Sequence, residues 1–175
     1  MDQKHTNEYF MRQALKQAAL AAAHGDVPVG AVVVKEGKII ARGRNRREEK
    51  GDPIAHAEVE ALRKAARKLG GWYLHGCTLV VTLEPCPMCA GAAMQARLDA
   101  IVFGAYDPKA GCAGSLMNLP GDERFPHRVS VTGGVLEEDC AALLKQFFRQ
   151  RRSKASQATA VHAEDDGPVQ SPART

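Results

Sequence analysis

The sequence predicts an α/β fold, a three-layer α/β/α sandwich around a central mixed sheet of five strands, the first two antiparallel. Helical periodicity near both ends of the chain, short β-branched runs between them, and a βαβ alternation through the middle carry that reading. Phe10, Met11, Ala14, Leu15, Ala18, Ala19 and Ala22 recur at helical spacing, and Gly25 stops this first helix. Val29 to Val34, a turn at Glu36-Gly37, and Lys38 to Arg44 form a hairpin. After a polar loop to Pro53, residues 55–69 form a helix with Val59, Leu62, Ala66 and Leu69 on one stripe, ended by Gly70-Gly71. Cys77 to Leu83 reads as a buried strand, 87–97 as a short alanine-rich helix, and Ala100 to Ala105 as the next strand. A glycine-rich loop with short turns occupies 107–127, and Val129 to Thr132 adds a last strand. Glu137 to Arg152 forms an amphipathic helix with acids first and bases last, as its macrodipole prefers. From Ser153 onward the only large aliphatic residues are two valines among Ala, Ser, Thr, Gln, Pro and acids. Residues 153–175 are therefore expected to be a disordered polar tail behind one folded domain over 1–152.

Composition bounds the function. Of 175 residues, 45% are hydrophobic and 25% charged, the balance of a soluble protein long enough to build one core without disulfides. The cysteines number five, an odd count, and no apolar leader precedes them, so a reducing, cytoplasmic setting with free thiols is expected. The longest apolar runs, AALAAA at 18–23 and VGAVVV at 29–34, fall far short of the roughly 18 residues that span a bilayer, so no membrane association is expected. The formal net charge of +4 gathers in two clusters, Arg42, Arg44, Arg46, Arg47 and Lys50, then Lys145, Arg149, Arg151, Arg152 and Lys154. Polyanion binding and plain solvated faces both fit such clusters.

The residues that carry chemistry are His56-Ala57-Glu58 and Pro85-Cys86-Pro87-Met88-Cys89, each placed where a helix begins. Cys86 and Cys89 lie about 60° apart around a helix axis and so converge on one ion. Thiolates suit the positive end of a helix dipole, and Pro87 is tolerated in a first turn. With His56 they form a donor set that suits zinc and leaves a fourth tetrahedral position for water. Glu58 beside that position supplies a carboxylate to accept and deliver the proton of the water. Residues two apart point to opposite sides of a helix, so His56 and Glu58 serve one site only if it lies off the helix end. Two other readings are a structural zinc site completed by Cys77 or Cys112, and a redox pair at Cys86 and Cys89. The upstream His-x-Glu favours the open, catalytic site.

On these residues the sequence resembles the cytidine and deoxycytidylate deaminase superfamily, and within it the branch that acts on the wobble adenosine of a tRNA anticodon. The resemblance extends through VPVGAVVV at 27–34, GRNRR at 43–47, DPIAHAEVEAL at 52–62, TLEPCPMCAGA at 82–92, VFGAYDPKAGCAGSLMNL at 102–119 and FFRQRR at 147–152. It implies one Zn2+ per subunit on His56, Cys86 and Cys89, with Glu58 carrying the proton while hydroxide attacks C6 of a flipped adenine and ammonia leaves inosine behind. It further implies that Asn45 holds the base or its ribose, and that Asp107 accepts from a 2′-OH of the anticodon loop. Both residues also have simpler readings, as a turn-stabilising asparagine and a turn-capping aspartate. FFRQRR and the loop arginines would touch phosphates, and the chain would work as a homodimer. Cys112 reads as tolerated in its glycine-rich loop, not as a ligand. A deaminase of a free base or nucleoside, such as guanine or cytosine, is the second expectation.

Overall fold

The structure, a computed structural model, describes residues 6–163. Thr6 caps α1 (Asn7–Ala23) by accepting the Tyr9 N–H at 3.3 Å. The buried stripe of α1, Phe10, Met11, Ala14, Ala18 and Ala21, repeats every three or four residues. β1 (Gly30–Lys35) and β2 (Lys38–Arg44) form the antiparallel hairpin. Glu36 and Gly37 between them both take positive φ, 51° and 73°, as a two-residue turn needs if its twist is to match the strands. The chain continues through α2 (Arg47–Lys50), α3 (Ala57–Leu69), β3 (Cys77–Leu83), α4 (Pro87–Gln95), β4 (Ala100–Ala105), β5 (Ser130–Thr132) and α5 (Glu137–Ala163).

The sheet has the order β2-β1-β3-β4-β5, antiparallel through β2, β1 and β3 and parallel through β3, β4 and β5. This is the expected mixed five-stranded sheet, and strand alternation divides its side chains between two cores. Ala31, Val33, Leu79, Val81, Ile101 and Phe103 pack with Ala61, Leu62 and Ala65 of α3 and Ala93 of α4. Val32, Val34, Val80 and Val102 pack on the other face with Phe10, Met11 and Ala14 of α1 and Cys140 of α5. Leu79, Val80 and Val81 on the middle strand are fully enclosed, and each such side chain contributes about 1.5–3 kcal/mol. Gly43 sets how closely α3 approaches. A Cβ there would strike the Ala57 carbonyl oxygen and lie 2.6 Å from the Ala61 nitrogen, so the first turn of α3 rests backbone against backbone on β2.

Two elements differ from expectation. The loop leading to Pro53 contains the one-turn helix α2, which has no side-chain cap from Arg46. Asp26, fully buried after α1, caps it from elsewhere by accepting the N–H groups of Glu48 at 2.8 Å and Glu49 at 3.2 Å. At the other end, α5 does not stop at Arg152 but runs to Ala163, so Ser153 to Ala163 are helix where a disordered tail was expected. No glycine or proline interrupts the chain until Gly167-Pro168, and the Ala, Lys, Gln and Ser that follow Arg152 all tolerate a helix. The rest of the expected tail, 164–175, lies outside the described residues.

Candidate active site

β3 ends at Leu83, and Glu84-Pro85 lead into α4, whose N-cap is Cys86 and whose first residue is Pro87. His56 is the N-cap of α3. Neither side chain is spent on capping its own helix, and the two helix starts face each other. His56 Nδ1 lies 3.7 Å from Cys86 Sγ and 3.5 Å from Cys89 Sγ, and the three ligand atoms all fall within 4.8 Å of one another. A tetrahedral ion with sulfur at about 2.3 Å and nitrogen at about 2.0 Å has N···S edges of about 3.5 Å, so both donor set and spacing fit zinc. Among the described residues no fourth His, Cys, Asp or Glu joins this group, and neither Cys77 nor Cys112 belongs to it. The arrangement is therefore that of an open site and lacks the fourth protein ligand of a closed structural one.

The charges in the site follow from burial and contact. Cys86 is pulled down to about 4, first by its hydrogen bond with Cys89 and then by His56, while the same contact and burial push Cys89 up. The Cys89 thiol thus donates to a Cys86 thiolate, and a bound cation would expel the remaining proton. Glu58, in the first turn of α3, is 4% exposed and lies against Cys89. Burial pushes its carboxyl up to about 7, the range in which a group both takes and gives protons at neutral pH. The site lies off the ends of both helices, which is the only place where His56 and Glu58 can meet.

A cavity of about 190 Å³ opens over this group. Val27, Val29 and Leu83 give it an apolar wall, and Asn45, Arg47, Glu84 and Asp107 give it polar edges. Asn45 is buried, donates through Nδ2 to the Val27 carbonyl at 3.1 Å and accepts the Arg47 N–H at 3.3 Å. Asp107 Oδ1 accepts the N–H groups of Lys109 at 3.0 Å and Ala110 at 3.1 Å. Both residues border the cavity and both also hold their own turns. Arg47 and Glu84 were not singled out from the sequence. Arg47 stood among four neighbouring cations, and Glu84 carried no spacing signal of its own. The structure separates those cations: Arg44 and Arg46 pair with Glu49, and Lys50 reaches both oxygens of buried Glu60 at 2.9 Å. Arg47 makes no ion pair among the described residues.

Comparison with known proteins agrees with this geometry. Residues 4–105 match the cytidine and deoxycytidylate deaminase zinc-binding region, a span that holds His56, Glu58, Cys86 and Cys89. The chain is 52% identical over 152 residues to the tRNA-specific adenosine deaminase of Bacillus subtilis (strain 168), across 87% of this chain and 94% of that protein. A structure solved in work on A-to-I editing by tRNA:A34 deaminases at the wobble position of transfer RNA aligns with a TM-score of 0.75 and 41% identity, over 78% of this chain and 99% of that one. The guanine deaminase of Nitrosomonas europaea aligns with a TM-score of 0.72 and 28% identity, over 81% of this chain and 84% of that one. With its ligand-bearing half matched in sequence and its sheet matched in space, the chain belongs to the cytidine and deoxycytidylate deaminase family.

Proposed function

We propose that the chain hydrolytically deaminates the wobble adenosine of a tRNA anticodon to inosine, releasing ammonia. The observation that carries this reading is buried Glu58 beside the His56, Cys86 and Cys89 group at the foot of a narrow cavity, in a chain similar to a tRNA-specific adenosine deaminase across 94% of that protein. His56, Cys86 and Cys89 would hold one zinc ion per subunit, which when bound supplies Lewis acidity and lowers the pKa of water. Glu58 takes the proton from the attacking water, places it on N1 of the adenine, and assists departure of the 6-amino nitrogen. Val29 and Leu83 keep bulk water away from that exchange. The cavity admits a base only when it is unstacked, so the nucleotide enters flipped out of its loop. Asn45 holds the base or ribose with its second amide hydrogen, and Asp107 accepts from the 2′-OH through Oδ2. Arg47 and the exposed Arg149, Arg151 and Arg152 of α5 contact phosphates and make the chain RNA-binding.

A second copy of the chain covers the apolar groove of about 500 Å³ beside α3 and α4, where Val59, Leu62, Ala66 and Leu74 meet the exposed ring of Trp72. No helix among the described residues is long and apolar enough to cross a membrane. A tRNA substrate supports reading the homodimer as cytoplasmic. A free purine is the second reading, favoured by the alignment with guanine deaminase. The test is inosine formation on a tRNA transcript whose anticodon begins with adenosine, beside free bases, nucleosides and the Glu58→Ala variant. Wobble inosine, lost in Glu58→Ala with zinc content kept, is the expected result. Ammonia from a free base with the tRNA unmodified would overturn the tRNA substrate and leave the deamination standing.

A further inference from the structure

We propose that Glu84 is a positioning residue, whose buried carboxylate clamps the 107–116 loop as one wall of the substrate cavity and so sets affinity for the substrate without touching the reacting atoms. The proposal rests on the tRNA-deaminase reading for its substrate, but the clamp itself is a matter of geometry. Glu84 stands immediately before Pro85-Cys86 and borders the cavity together with Glu58. It is 2% exposed, a rare situation for a carboxylate with no cation beside it. No Lys or Arg pairs with it among the described residues. Its partners come from the loop alone: Oε1 accepts the Ser115 N–H at 3.0 Å and the Ser115 hydroxyl at 2.9 Å.

The loop is built around this carboxylate. Oε2 is enclosed with no partner among the described residues, and Gly111 lies so close that a Cβ there would strike that oxygen. The Glu84 N–H donates to the Ala105 carbonyl and the Cys112 N–H to the Pro85 carbonyl, each at 2.8 Å. The loop therefore leaves the end of β4, carries Asp107 and Ala110 past the cavity, and is drawn back onto the connection between β3 and α4. A buried group left half satisfied calls for an explanation, and holding a wall of the cavity provides one. Because the acceptor is a carboxylate, both bonds from Ser115 are strengthened by charge, and an amide in its place would hold the loop less firmly.

The test compares zinc-loaded Glu84→Gln, Ser115→Ala and the double variant with the parent chain, using an anticodon stem-loop RNA with adenosine at the wobble position. KM should rise about fivefold in each single variant, with kcat within twofold and zinc content unchanged. The double variant should be no worse than the worse single one, because Ser115→Ala removes the hydroxyl bond that Glu84→Gln already weakens, and the Ser115 N–H bond remains in both. In parallel, trypsin should cut faster after exposed Lys109 in all three variants, a readout that needs no turnover. If the parent makes no inosine while Lys109 cleavage still accelerates, the tRNA reading falls and the clamp stands. Unchanged KM and unchanged cleavage, multiplying effects in the double variant, or loss of zinc in Glu84→Gln would overturn the clamp.

Discussion

Removing the Asp26 carboxylate should unhinge α2, and the size of the effect follows from two hydrogen bonds. Asp26 is fully buried, and its two oxygens accept the N–H groups of Glu48 and Glu49. Hydrogen bonds to a charged group contribute about 1.5–3 kcal/mol each, and a helix cap about 1 kcal/mol. The one-turn helix that holds Glu48 and Glu49 lies at the surface, so water can enter the space the carboxylate leaves and reach the two N–H groups, and the lower end applies. Asp26→Ala should then cost about 2–3 kcal/mol, and Asp26→Asn, which keeps one acceptor, about 1–2 kcal/mol. In a domain of this size the alanine variant should melt about 5–10 °C below the parent. Urea unfolding of the zinc-loaded protein at constant m-value measures both losses. Because α2 carries Arg47 beside the cavity, KM for the stem-loop RNA should rise as well. An Asp26→Ala variant within about 0.5 kcal/mol of the parent would refute the cap, since surface substitutions alone reach that range.

Gly43→Ala should push the first turn of α3 off β2, costing about 1–3 kcal/mol by overpacking and weakening zinc binding through His56; an unaltered competition titration against a chelator would count against it. Glu49 is held down to about 2, from an ordinary 4.5, by hydrogen bonds from Arg46 and then Arg44. Its contribution to stability is therefore complete above pH 4.5 and is lost as the pH falls toward 2, so Glu49→Gln should lower stability at pH 7, flatten the acid limb of the stability curve between about 4.5 and 2, and meet the parent near pH 2. After zinc is stripped with a chelator, iodoacetamide should modify Cys86 first, because its thiolate is favoured and partly exposed while Cys77, Cys89, Cys112 and Cys140 are buried with raised thiol pKa values. Peptide mapping that found Cys89 modified ahead of Cys86 would contradict that ordering.

Local signals made much of the fold and the metal group legible in the sequence. The β-branched runs from Val29 and from Cys77, the stripe on α3 and the Gly70 stop are all patterns within a few residues, and β1, β3 and α3 lie within two residues of where those patterns place them. His56, Cys86 and Cys89 announce themselves by residue type and spacing. What stayed hidden depends on partners distant in the chain. α2 has no cap in its own sequence because Asp26 supplies one from the end of α1. The cations of residues 44–50 look alike as letters, and only folding shows which ones meet Glu49 and Glu60. Glu84 lies within a quoted motif, yet Ser115, which gives it a task, is 31 residues away. Past Arg152 the polar composition suggests disorder, yet no glycine or proline breaks the chain there and α5 continues to Ala163.

Ion pairs only a few ångströms across are dipoles, and seen from beyond a Debye length of about 8 Å they are nearly neutral. Arg44, Arg46 and Lys50 share the two carboxylates of Glu49 and Glu60, so an approaching polyanion meets a net of one positive charge where the chain places three cations. Exposed cations without an ion pair among the described residues contribute more, and α5, a helix of 27 residues and so about 40 Å long, gathers Lys145, Arg149, Arg151, Arg152 and Lys154 on one element. On the tRNA reading, capture and registration would be divided: α5 would govern how often an RNA arrives and how steeply that rate falls with salt, while Arg47, which lines the cavity, would act on a strand already at the entrance.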